Sequence, residues 1–239
     1  MATPSFVGGS LSDRAYFLIR DKILRAEIPL GAALSRRVLA EEFGMSFLPV
    51  ADAIQRLESE GMLESKPRVG TRVRIPTPQD VRDRYIVREA LETQSARLFC
   101  EKASSDERAE LRAMARKLDE MVQYPSVEPS FQYIFQTAHL QFHMRIAECT
   151  GCVPLCNMLE KNQVLVFNWL FDIAADSQMP PQWHLELVDV LIGSDADAAA
   201  LAMGRHIRTG MQDIQQSIAA KFGSSLPPIG RVRRKVVAA

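Results

Sequence analysis

The stretch that decides the fold of the N-terminal third spans residues 29–73 and reads PLGAALSRRVLAEEFGMSFLPVADAIQRLESEGMLESKPRVGTRV. Two short runs within it place apolar residues at helical spacing, and each run follows a serine, Ser35 or Ser46, that can cap a helix. A glycine ends each run, Gly44 after the first and Gly61 after the second. The stretch therefore predicts two helices joined by a tight turn.

The flanking sequence completes a recognisable unit. Upstream, apolar residues between residues 11 and 23 recur at helical spacing and predict a first helix. Downstream, residues 62–65 and 71–75 flank the turn-forming sequence KPRVG and predict a β-hairpin. Three helices followed by a hairpin form a winged helix-turn-helix. We assign it to residues 10–75, after a small, polar N-terminus at residues 1–9 that we expect to be disordered.

The remainder of the chain is predicted to be all-α. The sequence PTPQD at residues 76–80 is expected to be a linker, and the chain ends in a basic tail at residues 222–239. Aromatic residues make up only 7% of the chain, which favours helices over sheets. Helical periodicity predicts six segments at residues 80–103, 105–123, 129–149, 153–174, 181–193 and 195–221.

Both halves resemble one family of regulators. The quoted stretch is similar to the N-terminal DNA-binding domain of the GntR family, in its glycines, its Ser-x-x-Pro-Val core and RLESEGML. Three later stretches resemble the FCD domain of the FadR-type members: VREALETQSARL from residue 87, HLQFHMRIAECTG from residue 139 and HLELVDVLIGSDADAAALAMGRHI from residue 184. The resemblance implies a mainly α protein, in which a winged helix-turn-helix precedes a six- to seven-helix FCD bundle at residues 81–221 that binds an effector and dimerises.

Four histidines are the candidate metal ligands. His139 and His143 are one helical turn apart, and His184 and His206 lie on two later predicted helices. Neutral imidazoles from three helices suit a divalent metal ion, with zinc or nickel favoured. In the resemblance, all four histidines fall on the ligand positions of the FCD domain, but His139 stands where the family usually has Asp. Two interpretations stay open: four ligands, or three histidines with His139 protonated or turned away.

The resemblance also implies a small organic acid as effector. Arg88 and Asn162 are the candidate effector contacts, although Arg88 can equally pair with Glu92 one turn later. On charge alone, four neutral histidines leave a divalent site more positive than three histidines and Asp, and this favours an anionic ligand.

The DNA contacts are expected from the winged helix. The outward face of its third helix carries Phe47, Ala51 and Gln55, and the family usually has Arg at the first two positions. The loss of both arginines leaves open an operator unlike that of relatives, or a domain that reads DNA poorly. The candidate DNA-binding residues are Arg36, Arg37, Ser46, Phe47, Gln55, Lys66, Arg68 and Arg72.

Charge and composition bound the function further. Residues 1–75 hold 11 Lys and Arg against 9 Asp and Glu, whereas residues 76–220 hold 13 against 20. No run of apolar residues is long enough for a membrane span, no signal peptide is predicted, and four cysteines fit the reducing cytoplasm. The spacing of Cys149, Cys152 and Cys156 is compatible with an iron–sulfur site, but a packed helix corner is the favoured interpretation.

We therefore expect a cytoplasmic transcription regulator rather than an enzyme. It would act as a homodimer on a double-stranded DNA operator and respond to a small organic acid. Two rivals use the same histidines. One is a metal-dependent hydrolase, which lacks a recognised general-base motif such as H-E-x-x-H here. The other is a pure metal sensor with no organic effector.

Overall fold

The computed structural model describes residues 9–66, 70–126, 130–162 and 180–222. The N-terminal elements are α1 (Leu11–Leu24), β1 (Ala33–Leu34), α2 (Arg36–Phe43), α3 (Phe47–Ser59), β2 (Leu63–Lys66) and β3 (Gly70–Val73). The C-terminal helices are α4 (Pro78–Lys102), α5 (Ser105–Gln123), α6 (Phe131–Glu148), α7 (described over residues 153–162), α8 (Trp183–Leu191) and α9 (Ala196–Phe222). This arrangement confirms the mainly α fold, with a winged helix-turn-helix followed by a helical bundle.

The two helices of the helix-turn-helix begin after the predicted serines, although only Ser35 forms a capping hydrogen bond. The Ser35 side chain accepts a hydrogen bond from the Val38 amide at the start of α2, and Gly44 ends that helix in the left-handed conformation at φ 62°. Ser46 has extended backbone angles before α3, but its hydroxyl makes no capping hydrogen bond. Three helices share one apolar core, in which the side chains of Ile19, Ile54 and Leu57 are fully buried.

The wing has three strands, although the sequence predicted a two-stranded hairpin. β3 lies between β1 and β2 and pairs antiparallel with both. β1 consists of only two residues, so it is too short to show the alternation by which a strand is predicted. The additional strand joins the segment before α2 to the wing.

The connection between the two halves is shorter than predicted. Residues 78–80 were expected to belong to a linker but form the first turn of α4. Thr77 caps this helix in a capping box with Asp80, and Pro78 occupies the first helical position, where its missing N–H costs little. Asp80 also accepts a hydrogen bond from the Arg74 guanidinium at 2.6 Å, which fastens the end of the wing segment to α4.

The bundle is built around the two long helices α4 and α9, which pack along each other. α6 and α8 pack against this pair, α5 packs against α6 and α8, and Phe99, Leu111 and Phe142 are fully buried between the helices. None of the described helices is long and apolar enough to cross a membrane.

A contact between α1 and α6 joins the two halves of the chain. The Arg25 guanidinium, at the C-terminal end of α1, lies 4.6 Å from the centre of the Tyr133 ring on α6. α6 is also the helix that carries His139 and His143. The winged helix is therefore in direct contact with the helix that presents two candidate metal ligands.

Five predicted segments lie wholly or partly outside the described residues. They are residues 1–8 of the N-terminus, the wing tip at residues 67–69, residue 129 of the third predicted bundle helix, residues 163–174 of the fourth, and residues 223–239 of the basic tail.

Candidate metal centre and nucleic-acid interface

Two of the four histidines face each other on α6. His139 and His143 are 9% and 1% exposed, because this face of α6 is turned into the bundle. Their Nε2 atoms are 3.0 Å apart. Two nitrogens bound to one tetrahedral zinc ion would be separated by about 3.3 Å, since each Zn–N bond is about 2.05 Å long. The spacing of the two rings is therefore compatible with a shared metal ion.

A third histidine from α9 completes a cluster. One ligand nitrogen from each of His139, His143 and His206 lies within 4.8 Å of the other two. His184, on α8, is beside this group rather than in it. Its ring centre lies 5.0 Å from that of His139 and 5.5 Å from that of His206. The structure thus gathers all four rings, three of them closely enough to converge on a single ion.

A buried carboxylate orients His143. The Nδ1 atom of His143 lies 2.5 Å from Oε2 of Glu92, and Glu92 is 1% exposed. The other oxygen of Glu92 accepts a hydrogen bond from Nε of Arg88 at 2.5 Å. Burial disfavours ionisation of Glu92, but Arg88 and His143 more than offset this effect and lower the Glu92 pKa to about 2. Glu92 is therefore ionised, and Nδ1 of His143 carries the proton between them.

A second carboxylate orients His184. Oδ1 of Asp119, on α5, lies 2.7 Å from Nδ1 of His184 and also accepts the backbone N–H of His184 at 3.1 Å. The other oxygen of Asp119 accepts the N–H of Leu185 at 2.9 Å. The proton on His184 is thus held at Nδ1. Its Nε2 atom is buried and has no hydrogen-bond partner among the described residues.

These contacts determine which nitrogens are available to a metal. With Nδ1 protonated, His143 and His184 each present a lone pair at Nε2, as a metal ligand must. His206 is held differently, because the Trp183 indole N–H donates to its Nδ1 atom. A neutral His206 with this bond carries its proton on Nε2, so the indole contact must change before Nε2 of His206 can bind a metal.

Burial keeps the cluster neutral. Loss of solvation lowers the pKa of His139 and His206 well below the ordinary value of 6.5, and their charged neighbours lower it further. Burial also lowers the His143 pKa, although Glu92 opposes that shift. A metal competes with protons for these atoms, so buried neutral imidazoles favour metal binding. The donor set fits a divalent ion that accepts imidazole, such as zinc or nickel.

Both candidate effector residues are buried, and each already makes hydrogen bonds within the protein. Arg88 pairs with Glu92 and lies 3.5 Å from the Tyr85 hydroxyl, so the predicted alternative, an ion pair one turn apart, is present. Arg88 is close to the histidines, because it and His143 contact the two oxygens of the same Glu92 carboxylate. Asn162 donates to the Arg84 carbonyl at 3.2 Å, and its Oδ1 atom has no partner among the described residues.

The basic residues predicted to contact DNA are less free than the sequence suggested. Arg37 is largely exposed but pairs with Glu41 at 3.0 Å, and Arg72 pairs with Glu64. Lys66 is exposed and Arg36 is half-buried. Arg68 lies outside the described residues. Exposed pairs of this kind contribute little to stability, so phosphate can compete for these arginines.

The predicted recognition helix exposes large apolar side chains in its first turn. Phe47 and Leu48, its first two residues, are 56% and 68% exposed, and Gln55 is exposed two turns later. The Ser46 hydroxyl just before them is not used as a cap.

The three closely spaced cysteines follow one another from the end of α6 into the start of α7. Within the described ranges, no cluster of three metal-ligating side chains includes a cysteine. Cys149 ends α6, and burial raises its thiol pKa to about 11, which keeps it protonated.

Three residues near the histidines were not predicted to belong to the site. Glu92 was considered only as a partner of Arg88, and Asp119 and Trp183 were not considered. Trp183 directly precedes His184 in the sequence, and this adjacency could have identified it as a neighbour of the site. Asp119 lies 65 positions before His184, and no local pattern connects them.

Comparison with known proteins assigns both halves. The family profile described as "Bacterial regulatory proteins, gntR family" matches residues 11–73, and the FCD domain profile matches residues 83–209. The chain is 26% identical over 191 residues to a probable D-xylose utilization operon transcriptional repressor of Paenarthrobacter nicotinovorans, covering 78% of this chain and 80% of that protein. It is 22% identical to the HTH-type transcriptional repressor RspR of Escherichia coli, with 86% and 90% covered.

Solved structures share the fold. E. coli McbR/YncC superposes with a TM-score of 0.69 at 21% identity, covering 87% of this chain and 98% of that one. A putative GntR regulator from Rhodococcus sp. RHA1 gives a TM-score of 0.68, also at 21% identity, with 89% and 99% covered.

Proposed function

Since the chain belongs to the GntR family of bacterial transcription regulators and carries an FCD domain of the FadR-like subfamily, we propose that it is a metal-dependent sensor of a small carboxylate. It would bind its operator in the cytoplasm as a homodimer. The two-fold symmetry of such a dimer would match a pseudo-palindromic operator. The single observation that carries the proposal is the cluster of four histidines, of which three are buried and two are oriented by buried carboxylates.

This geometry supports the proposed ligand set. His143 and His184 offer Nε2 lone pairs that Glu92 and Asp119 fix in place. His139 and His206 complete the four candidate ligands. Before they bind a metal, the proton shared by the Nε2 atoms of His139 and His143 must leave, and the contact between Trp183 and His206 must change. When bound, a divalent ion would supply positive charge at which a carboxylate oxygen can be held.

The surrounding residues define the chemistry of the effector. Arg88 adds positive charge beside the cluster, and its guanidinium can donate to a carboxylate while Glu92 keeps one of its N–H groups. The buried oxygen of Asn162 can accept a hydrogen bond, for example from a hydroxyl group on the acid. A small carboxylate, with or without a hydroxyl group, therefore fits the polar groups available.

The DNA contacts are proposed on the winged helix. Arg36, Arg37, Lys66, Arg68 and Arg72 would hold phosphates, and Ser46, Phe47 and Gln55 would face the bases. Contacts to phosphate fix the register of a protein on DNA, whereas contacts to base edges read the sequence. Affinity should therefore fall as salt rises.

The test measures metal content and operator binding on the same full-length protein. We expect about one divalent ion per chain by elemental analysis, and loss of it in His143→Ala. Gln141→Ala is the matched control, because Gln141 is exposed on the same helix and should leave metal content unchanged. With metal bound, a panel of small mono- and dicarboxylates should contain one acid that changes operator affinity about 5- to 150-fold.

Three outcomes would overturn parts of the proposal. No metal in native or metal-soaked protein would exclude the metal centre. Operator affinity that follows free metal but no acid would identify a pure metal sensor. Hydrolysis of esters or amides by the metal-loaded protein, lost in His143→Ala, would favour the hydrolase instead.

A further inference from the structure

The start of α3 lacks the charges expected of a helix that reads guanine. Its sequence, FLPVADAIQRLES, contains one basic residue, Arg56. The Arg56 guanidinium lies 3.8 Å from the centre of the Tyr16 ring and 3.3 Å from both Asp13 and Glu60. Arg56 thus helps to join α1 to α3 through three contacts.

The exposed side chains of α3 have a different chemistry. Phe47 and Leu48 place large apolar surfaces in solvent at the first two helical positions, whereas Pro49 and Val50 behind them are buried. In a helix-turn-helix, the N-terminal residues of this helix are the ones that meet base edges in the major groove. The occupant of this apolar surface is thus expected to be DNA, because the chain belongs to a DNA-binding family and the surface lies where the bases would be.

Only one natural base edge offers an apolar partner in the major groove. Thymine carries a 5-methyl group there, whereas the other bases present hydrogen-bond donors and acceptors. Gln55, exposed further along the same face, has an amide that can pair with N6 and N7 of adenine. Both features select A·T pairs, and neither selects guanine.

We propose that Phe47 determines operator specificity by packing on thymine 5-methyl groups, so that each half-site is centred on A·T pairs. This inference rests on the proposed function, since it requires sequence-specific binding to DNA. Leu48 extends the apolar surface, and Gln55, about 12 Å further along the helix axis, contacts the adenine of another A·T pair in the same half-site. Arg36, Arg37, Lys66 and Arg72 hold the flanking phosphates and contribute no preference among bases.

The experiment removes the methyl group and changes nothing else in the base pair. A site is first selected from random duplex DNA with the full-length protein. The same site is then synthesised with deoxyuridine for thymine, position by position and throughout. Uracil keeps every hydrogen-bonding group of thymine and lacks only the 5-methyl group. Burial of one methyl group contributes about fourfold in affinity, so we expect about a 15-fold loss when one contacted thymine is replaced in both half-sites.

Variants identify the side chain responsible. Phe47→Ala should bind the thymine and uracil sites equally, at the level of the wild-type protein on the uracil site. Leu201→Ala is the matched control, because Leu201 is 61% exposed on α9, away from the winged helix, and should keep the full thymine preference. Both positions are exposed, so neither change should affect folding.

The outcomes separate this inference from the proposed function. Selection of one sequence that binds equally with thymine or uracil would overturn the role of Phe47 while leaving the regulator intact. A selected half-site centred on G·C pairs would do the same. If no duplex binds at low salt, both the proposed function and this inference are wrong.

Discussion

At the scale of single residues, Asp119 fixes both the ring and the backbone of His184. We predict that Asp119→Asn weakens metal binding about 10- to 100-fold, because outer partners of this kind contribute that much to the affinity of a site. An Asn amide must place N–H groups beside the Leu185 N–H or the protonated Nδ1 atom, so it cannot satisfy both. The affinity is measured by competition with a chelator.

The control for this change lies on α8. Asp189→Asn makes the same substitution at an exposed position whose partner is Arg112. It should leave metal affinity unchanged. Equal affinities in the two variants would show that Asp119 does not support the site.

Residue-level prediction succeeded where the pattern is local. Two histidines one turn apart share a face of any helix, and the structure places His139 and His143 side by side. The partners of the site could not be predicted in the same way. Asp119 and His184 lie on different helices, and a carboxylate is common enough in a helical sequence that its pairing depends on how the helices pack.

At the scale of elements, helices were predicted well because their periodicity and caps agree. α2 and α3 follow their serines, and α5 begins with the capping box of Ser104 and Glu107. The errors occur where only a few residues determine whether an element forms or where it begins. β1 is two residues long, and the first turn of α4 was assigned to a linker although a proline such as Pro78 can open a helix.

The contact between α1 and α6 gives a prediction at this scale. Tyr133→Ala removes the ring on which Arg25 lies. We expect this variant to keep its metal and its operator affinity without effector, but to reduce the effect of the carboxylate on operator affinity several-fold. The reason is that α6 would lose this contact with α1, so a movement of α6 at its histidines would no longer be passed to the winged helix. The measurement is operator affinity with and without the acid.

Tyr124→Ala is the matched control for Tyr133→Ala. Tyr124 is 72% exposed at the end of α5 and lies outside this contact, so the response should be intact. An unchanged response in Tyr133→Ala would show that the signal passes through another connection, such as Arg74 and Asp80 at the start of α4.

At the scale of the whole molecule, the buried histidines predict how stability depends on pH. In metal-free protein, burial lowers the pKa of His139, His143 and His206, so the folded chain stays neutral where the unfolded chain binds protons. Stability should therefore fall as pH drops below about 6.5, by up to about 1.4 kcal/mol per pH unit for each histidine. Below about pH 4.5, protonation of Glu92 in the unfolded chain adds to the loss.

The check is chemical denaturation with a chelator present between pH 7.5 and 5. His139→Leu should reduce the pH dependence of the free energy of unfolding by the contribution of one histidine, since it removes one group that unfolding would protonate. A wild-type free energy of unfolding that does not change across this range would contradict the burial of the cluster.

The position of Tyr133 on α6 also bears on how fast the protein would respond. Tyr133 and His139 are six residues apart on one continuous helix, a distance of about 9 Å along its axis. No loop has to refold between the metal ligands and the contact with α1. Rigid movements of helices take microseconds to milliseconds. The lifetime of the response would then be set by how long the acid stays bound, and release of the acid would return the regulator to its resting state without delay.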